Sequence, residues 1–139
     1  MKARINWLNG NIFVGESNSG HAVVMHAAAA PGAPTVAPSP MEYLLLGAGG
    51  CTAIDVVHIL QRGRHDISDC EISLEAERAG EDPKVFTKIH YHFIVTGRNL
   101  KPDVVDRAIK LSAEKYCSAS IMLGKTAAIT HDFEIVEAS

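Results

Sequence analysis

The sequence predicts an α+β fold with the element order βββ-α-ββ-α-(α)-β. Three observations carry that expectation. Short segments up to His26 are separated by Asn/Gly/Ser turn signals. One long apolar stretch, Tyr43 to Leu60, is preceded by helix-start residues. Two long alternating runs then give way to a helical pattern and a closing strand, so strands and helices are grouped in blocks and do not alternate. The 139 residues suit a single domain spanning 1–139.

Ala3–Leu8 and Asn11–Gly15 read as strands joined at Asn9-Gly10, a common hairpin pair. Asn18-Ser19-Gly20 turns the chain into a third strand, His21–His26, and the three make an antiparallel meander. Ala27–Pro40, rich in Ala, Pro and Gly, reads as irregular. Ser39-Pro40-Met41-Glu42 starts a helix: Ser39 caps, Pro40 takes the first helical position, and Glu42 falls three after the cap. That helix runs to about Arg62 and is apolar on nearly every side, which belongs in the middle of a structure. Its Gly49-Gly50 pair costs roughly 1 kcal/mol per Gly relative to Ala, and makes sense where another backbone passes closely. Asp69–Ala79 alternates, with Cys70, Ile72, Leu74 and Ala76 on one face. Val85–Thr96 is its partner. Lys101-Pro102-Asp103 opens a second helix with Val105, Ala108, Ile109, Ser112 and Tyr116 on one side; Cys117-Ser118-Ala119-Ser120 interrupts it, and a short piece runs to Lys125. Ile129–Val136 closes the chain as a strand.

Composition narrows the function. A formal net charge of −3 argues against nucleic acid as the partner. The N-terminus has basic residues with no apolar run behind them, so no signal peptide is expected, and Asp55 within the long apolar stretch argues against a membrane span. The three cysteines are too few for a disulfide scaffold, which points to a reducing, cytoplasmic setting. No Lys or Arg occurs between Ile5 and Gln61, a stretch whose only acids are Glu16, Glu42 and Asp55. Such a surface is poorly solvated, and a homo-oligomer that buries it is expected.

Few residues are equipped for chemistry. Cys51 lies mid-helix with Asp55 one turn on, and a negative neighbour disfavours a thiolate. Taken alone, such a Cys is more often a small core residue than a nucleophile. Cys117 ends one helix and begins the next, where Lys115 and the following helix N-terminus favour a thiolate; a partly buried structural Cys is the plainer reading. Cys70 reads as core packing. His90 and His92 share a strand face with Lys88, and that face reads as solvated and not as a metal site. No metal site and no cofactor are expected. Gly47-x-Gly49-Gly50 falls inside a helix, so it is no dinucleotide fingerprint.

Ser39-Pro40-Met41-Glu42-Tyr43-Leu44-Leu45 followed by Gly49-Gly50-Cys51-Thr52-Ala53-Ile54-Asp55-Val56-Val57 resembles the OsmC/Ohr family, the osmotically inducible and organic-hydroperoxide-resistance proteins. Ser112-Ala113-Glu114-Lys115-Tyr116-Cys117-Ser118 matches the family's second signature. The chain looks most like the branch carrying Ser-Pro-Met-Glu. The resemblance implies an OsmC-like fold, with antiparallel sheets wrapped around central helices in an intertwined homodimer. It implies thiol-dependent reduction of organic hydroperoxides, with Cys51 attacking, Cys117 resolving and an external dithiol reductant reopening the disulfide. It offers Glu42 as a third catalytic residue. The alternative is a member that binds a small apolar or thiol-reactive ligand, or reports redox state, at the same pocket. Two departures bear on this choice. Glu42 stands one residue later than the family's Glu, and one residue turns a helical side chain by about 100°. The family's N-terminal Arg has no counterpart, which leaves Arg4, Arg62, Arg64 or His21 as candidate cations.

Overall fold

The computed structural model describes residues 1–139. The chain divides into two compact units, Met1–Leu46 and Gly47–Ser139, with the first helix running from one into the other.

The first unit holds β1 (Ala3–Asn9), β2 (Ile12–Ser17) and β3 (Ala22–His26) as an antiparallel meander, as the turn signals predict. Gly10 makes the first turn possible, because its φ of +50° is a conformation that side chains with a Cβ rarely adopt. Arg4 stands directly opposite Glu16 across the β1–β2 pair and bonds it at 3.1 Å. Both side chains are well exposed, so this pair contributes little to stability. The helix α1 (Pro40–Arg62) begins with a reciprocal cap: Glu42 N–H donates to Ser39 Oγ at 3.2 Å, and Ser39 N–H donates to a Glu42 carboxylate oxygen at 3.1 Å. Tyr43 O–H donates to the Val24 carbonyl at 2.7 Å and ties the first turn of α1 to β3. Much of this unit's apolar surface is open, with Trp7 68% and Ile5 57% exposed.

The second unit packs the rest of α1 with β4 (Asp66–Arg78), β5 (Phe86–Arg98), α2 (Pro102–Leu111), α3 (Ser118–Leu123) and β6 (Ala128–Glu137). Although α1 is apolar all round, only one stripe is buried: Ala48, Thr52, Val56 and Leu60, spaced one turn apart, with Gly49 beside them. Strand β5 lies in the centre of its sheet and buries alternate residues, Ile89, Tyr91, Phe93 and Val95. Val105, Ala108 and Ile109 of α2 complete the core. Gly49 is explained within the chain. A Cβ there would lie 2.8 Å from Leu74 Cδ1 of β4, too close for contact, whereas Gly50 faces open space.

One pairing departs from the expected antiparallel sheets. β4 and β5 are antiparallel, but β5 and β6 run parallel. The helices α2 and α3 lie between those two strands in sequence, and a helical crossover returns the chain in its original direction.

The parallel register sets His92 opposite Asp132 and His90 opposite Thr130. His92 Nδ1 and His90 Nε2 lie 2.7 and 3.0 Å from the same Asp132 oxygen, and His90 Nδ1 lies 2.7 Å from Thr130 Oγ1. The expected solvated face is therefore an exposed acid–imidazole cluster. The hydrogen bond to Asp132 raises the His92 pKa, and the same bond lowers that of Asp132. A raised histidine pKa stabilises the fold at low pH and loses that contribution as pH rises through it. A lowered carboxyl pKa stabilises at higher pH and loses its contribution as pH falls through it. The pair therefore contributes most between the ordinary values of about 4 and 6.5. A proton NMR titration should place His92 above an ordinary histidine, and Asp132→Asn should bring it back down. An unchanged His92 titration in that variant would contradict the assignment.

Candidate functional site

The site is built where α1 meets the junction between α2 and α3. Cys51, Thr52 and Asp55 come from a little over one turn of α1. Thr52 lies in the buried stripe, and Cys51 and Asp55 are half-buried beside it. The opposing residues come from a π-helical turn, Ser112–Tyr116, inserted directly after α2. Its ring closes with Cys117 N–H donating to the Ser112 carbonyl at 2.8 Å. A π turn accommodates one residue more than an α turn, and such insertions are frequent at functional sites.

That extra residue resets the helical phase. The sequence pattern sets Tyr116 on the buried side of α2. In the structure Tyr116 is 50% exposed and Cys117 is fully buried. Lys115, expected to favour a Cys117 thiolate, stands over the Tyr116 ring, its Nζ 5.3 Å from the ring centre. Cys117 is in extended conformation and caps α3, with Ser120 N–H donating to its Sγ at 3.4 Å.

Cys51 Sγ, Cys117 Sγ and an Asp55 carboxylate oxygen all lie within 4.8 Å of one another. Two hydroxyl chains hold them. Ser112, fully buried, donates its Oγ–H to Asp55 Oδ2 at 2.9 Å. Its one hydroxyl proton is then committed, so Thr52, 2.8 Å away, donates to Ser112. On the other side, Ser120 Oγ lies 3.1 Å from Cys117 Sγ and 3.0 Å from the Tyr91 hydroxyl. Every buried side-chain polar atom has a hydrogen-bond partner.

Burial pushes the Cys117 thiol up, its hydrogen bonds with the Ser120 hydroxyl and backbone N–H pull it down, and the neighbouring Cys51 raises it; the net direction is up. Tyr91 is also raised, first by burial and then by the two cysteines, against the lowering bond with Ser120. It therefore remains a phenol that can donate to Ser120, which in turn can donate to a Cys117 thiolate. The cavity beside this network, lined by Thr52, Tyr91, Phe93, Ile109, Ser120 and Ile129 among others, has a volume of about 10 Å³. That is room for no more than one water.

The other residues singled out by sequence have partners or positions of their own. Glu42 is occupied in the cap of α1. Cys70, on β4, belongs to no such cluster; burial and then Asp69 raise its pKa. Arg4 pairs with Glu16, and His21 Nδ1 lies 3.1 Å from Ser19 Oγ. Arg62 is eleven residues past Cys51 on the same helix, about 16 Å along its axis. Ser112, Thr52, Ser120 and Tyr91 were not singled out as functional from sequence. Ser112 and Thr52 did carry a signal, since each is a polar residue on an otherwise apolar helical stripe.

Comparison with known proteins agrees with this fold. The family model for OsmC-like protein matches residues 32–132. Protein YhfA of Escherichia coli strain K12 is 54% identical over 138 residues, which is 99% of this chain and 100% of that protein. A structural-genomics structure 53% identical in sequence superposes with a TM-score of 0.90 over 99% of this chain and all of its own. The organic hydroperoxide resistance protein OhrB of Bacillus subtilis shares the fold at 15% identity, with a TM-score of 0.67 over 96% of this chain and 98% of its own. The chain belongs to the OsmC-like protein family.

Replacing Ser120 tests the second hydroxyl chain. Ser120→Ala leaves the buried Tyr91 hydroxyl without its partner, which costs about 1–3 kcal/mol of stability. It also removes one donor to a Cys117 thiolate. In a Cys51→Ser, Cys70→Ser background, the alkylation midpoint of Cys117 should move to higher pH on adding Ser120→Ala. An unmoved or lowered midpoint would contradict the assigned bond.

Proposed function

We propose that the chain is a thiol peroxidase that reduces organic hydroperoxides with Cys51 as the attacking residue and Cys117 as the resolving one. The observation that supports this most is the approach of the two sulfurs within 4.8 Å in otherwise free thiols. Attack falls to Cys51 because it is half-buried, whereas Cys117 is fully buried. The Cys51 thiolate takes the terminal peroxide oxygen, the O–O bond breaks, and the alkoxide leaves as the alcohol on gaining a proton. Cys51 is then a sulfenic acid. The Cys117 thiolate attacks its sulfur, hydroxide leaves and is protonated to water, and a disulfide forms. A dithiol reductant supplies two electrons and two protons to restore both thiols. The fold is shared with a protein named for organic hydroperoxide resistance, which is consistent with this reading.

The working form proposed is a homodimer in a reducing compartment such as the cytoplasm. One observation favours the dimer. The apolar α1 leaves Leu46 59% and Ile54 71% exposed. A second copy would cover that face. A carboxylate next to the thiols favours the alternative function, a redox reporter or binder of thiol-reactive ligands, because negative charge slows thiolate formation.

The test is consumption of cumene hydroperoxide under a dithiol reductant, with hydrogen peroxide for comparison and the oligomer followed by light scattering. The expected result is faster turnover of the organic peroxide by a dimer. Cys51→Ser should abolish it, Cys117→Ser should accumulate Cys51 sulfenic acid, and Cys70→Ser should be neutral. A Cys51–Cys117 disulfide that forms without turnover would favour the redox reporter, and a stable monomer would contradict the dimer.

A further inference from the structure

The cluster that supports thiol chemistry also has the composition of a metal site. Two sulfurs and one carboxylate oxygen converge from α1 and from the end of the π turn, all within 4.8 Å of one another. Tetrahedral zinc binds sulfur at about 2.3 Å and carboxylate oxygen at about 2.0–2.2 Å, which sets its ligands roughly 3.5–3.8 Å apart. The three donors need little or no backbone movement to reach that spacing. Three protein ligands with a fourth position left open is also the arrangement of accessible zinc sites.

The surroundings fit as well. Metal-bound carboxylates and thiolates are oriented by outer hydrogen-bond donors. Here Ser112 donates to Asp55 Oδ2 at 2.9 Å, and Ser120 N–H donates to Cys117 Sγ at 3.4 Å. No cation of the second unit ion-pairs with Asp55. Within that unit the half-buried carboxylate beside the two thiols has no counter-charge, and a dication supplies one. The ligands lie on segments far apart in sequence, so no Cys/His spacing motif announces them. We propose that the reduced Cys51–Asp55–Cys117 cluster binds a thiophilic divalent cation of the zinc type, one per chain. Occupancy ties up both sulfurs and blocks their alkylation. This inference needs the geometry of the reduced cluster and is independent of peroxide turnover.

The test uses protein reduced with a phosphine, with Co²⁺ as the spectroscopic probe and Zn²⁺ as its competitor. Tetrahedral cobalt bands with thiolate charge transfer are expected, saturating at one ion per chain and displaced by Zn²⁺. Zn²⁺ should slow alkylation of both thiols. Loss of a direct ligand should cost no less than the roughly 10–100-fold known for outer-shell partners, so Cys51→Ser, Cys117→Ser and Asp55→Asn should each weaken binding by at least that much. Cys70→Ser should bind as the unsubstituted chain does. Wild-type protein already alkylated at both thiols should not bind, and this control requires no substitution to fold. Absence of thiolate charge transfer, survival of binding after alkylation, or full affinity in Asp55→Asn would each overturn the proposal.

Discussion

The hydroxyl chain from Thr52 through Ser112 to Asp55 is the constraint on which the site depends. Its members belong to α1 and to the π turn, and Ser112 and Thr52 are almost wholly out of water. A buried hydroxyl without a partner costs about 1–3 kcal/mol. The two elements are therefore fixed in register, because sliding either one leaves at least one of these groups unsatisfied. Cys51 and Asp55 flank Thr52 on α1, and Cys117 closes the π ring on the Ser112 carbonyl. Fixing Thr52 against Ser112 thus fixes one thiol against the other.

The scaffold around that contact serves the same end. A buried stripe at one-turn spacing lets α1 pack with Thr52 inward, and Gly49 sits against Leu74, whose terminal methyl would have to shift to admit a Cβ there. Central strand β5 contributes Tyr91, whose hydroxyl reaches Ser120 and through it Cys117. The crossover that makes β5 and β6 parallel also carries the π turn. The site and the departure from antiparallel pairing thus have one origin, a helical excursion between two neighbouring strands.

Much of this was readable from sequence, for physical reasons. Alternation in β4 and β5, the Ser39–Glu42 cap and the Asn9-Gly10 turn are local signals, and the structure has strands, cap and turn at those places. The pairing of Cys51 with Cys117 came from resemblance to a family, since no local rule brings together residues so far apart. What stayed hidden was non-local or a matter of phase. The direction of β6 depends on the crossover as a whole. The π turn has no strong residue signature, so a regular helical period sends Tyr116 inward and misplaces it. The Asp132 partner of His90 and His92 lies on another strand, and only the parallel register reveals it.

The reduced chain already holds Cys51 close to Cys117 and leaves Cys70 out of that cluster. Oxidation with diamide, a reagent that needs no peroxide activity, followed by peptide mapping tests this directly. An intramolecular Cys51–Cys117 bridge is expected as the first and dominant product, with Cys70 still open to alkylation. A dominant bridge that includes Cys70, or one that joins Cys51 only to a second chain, would contradict it.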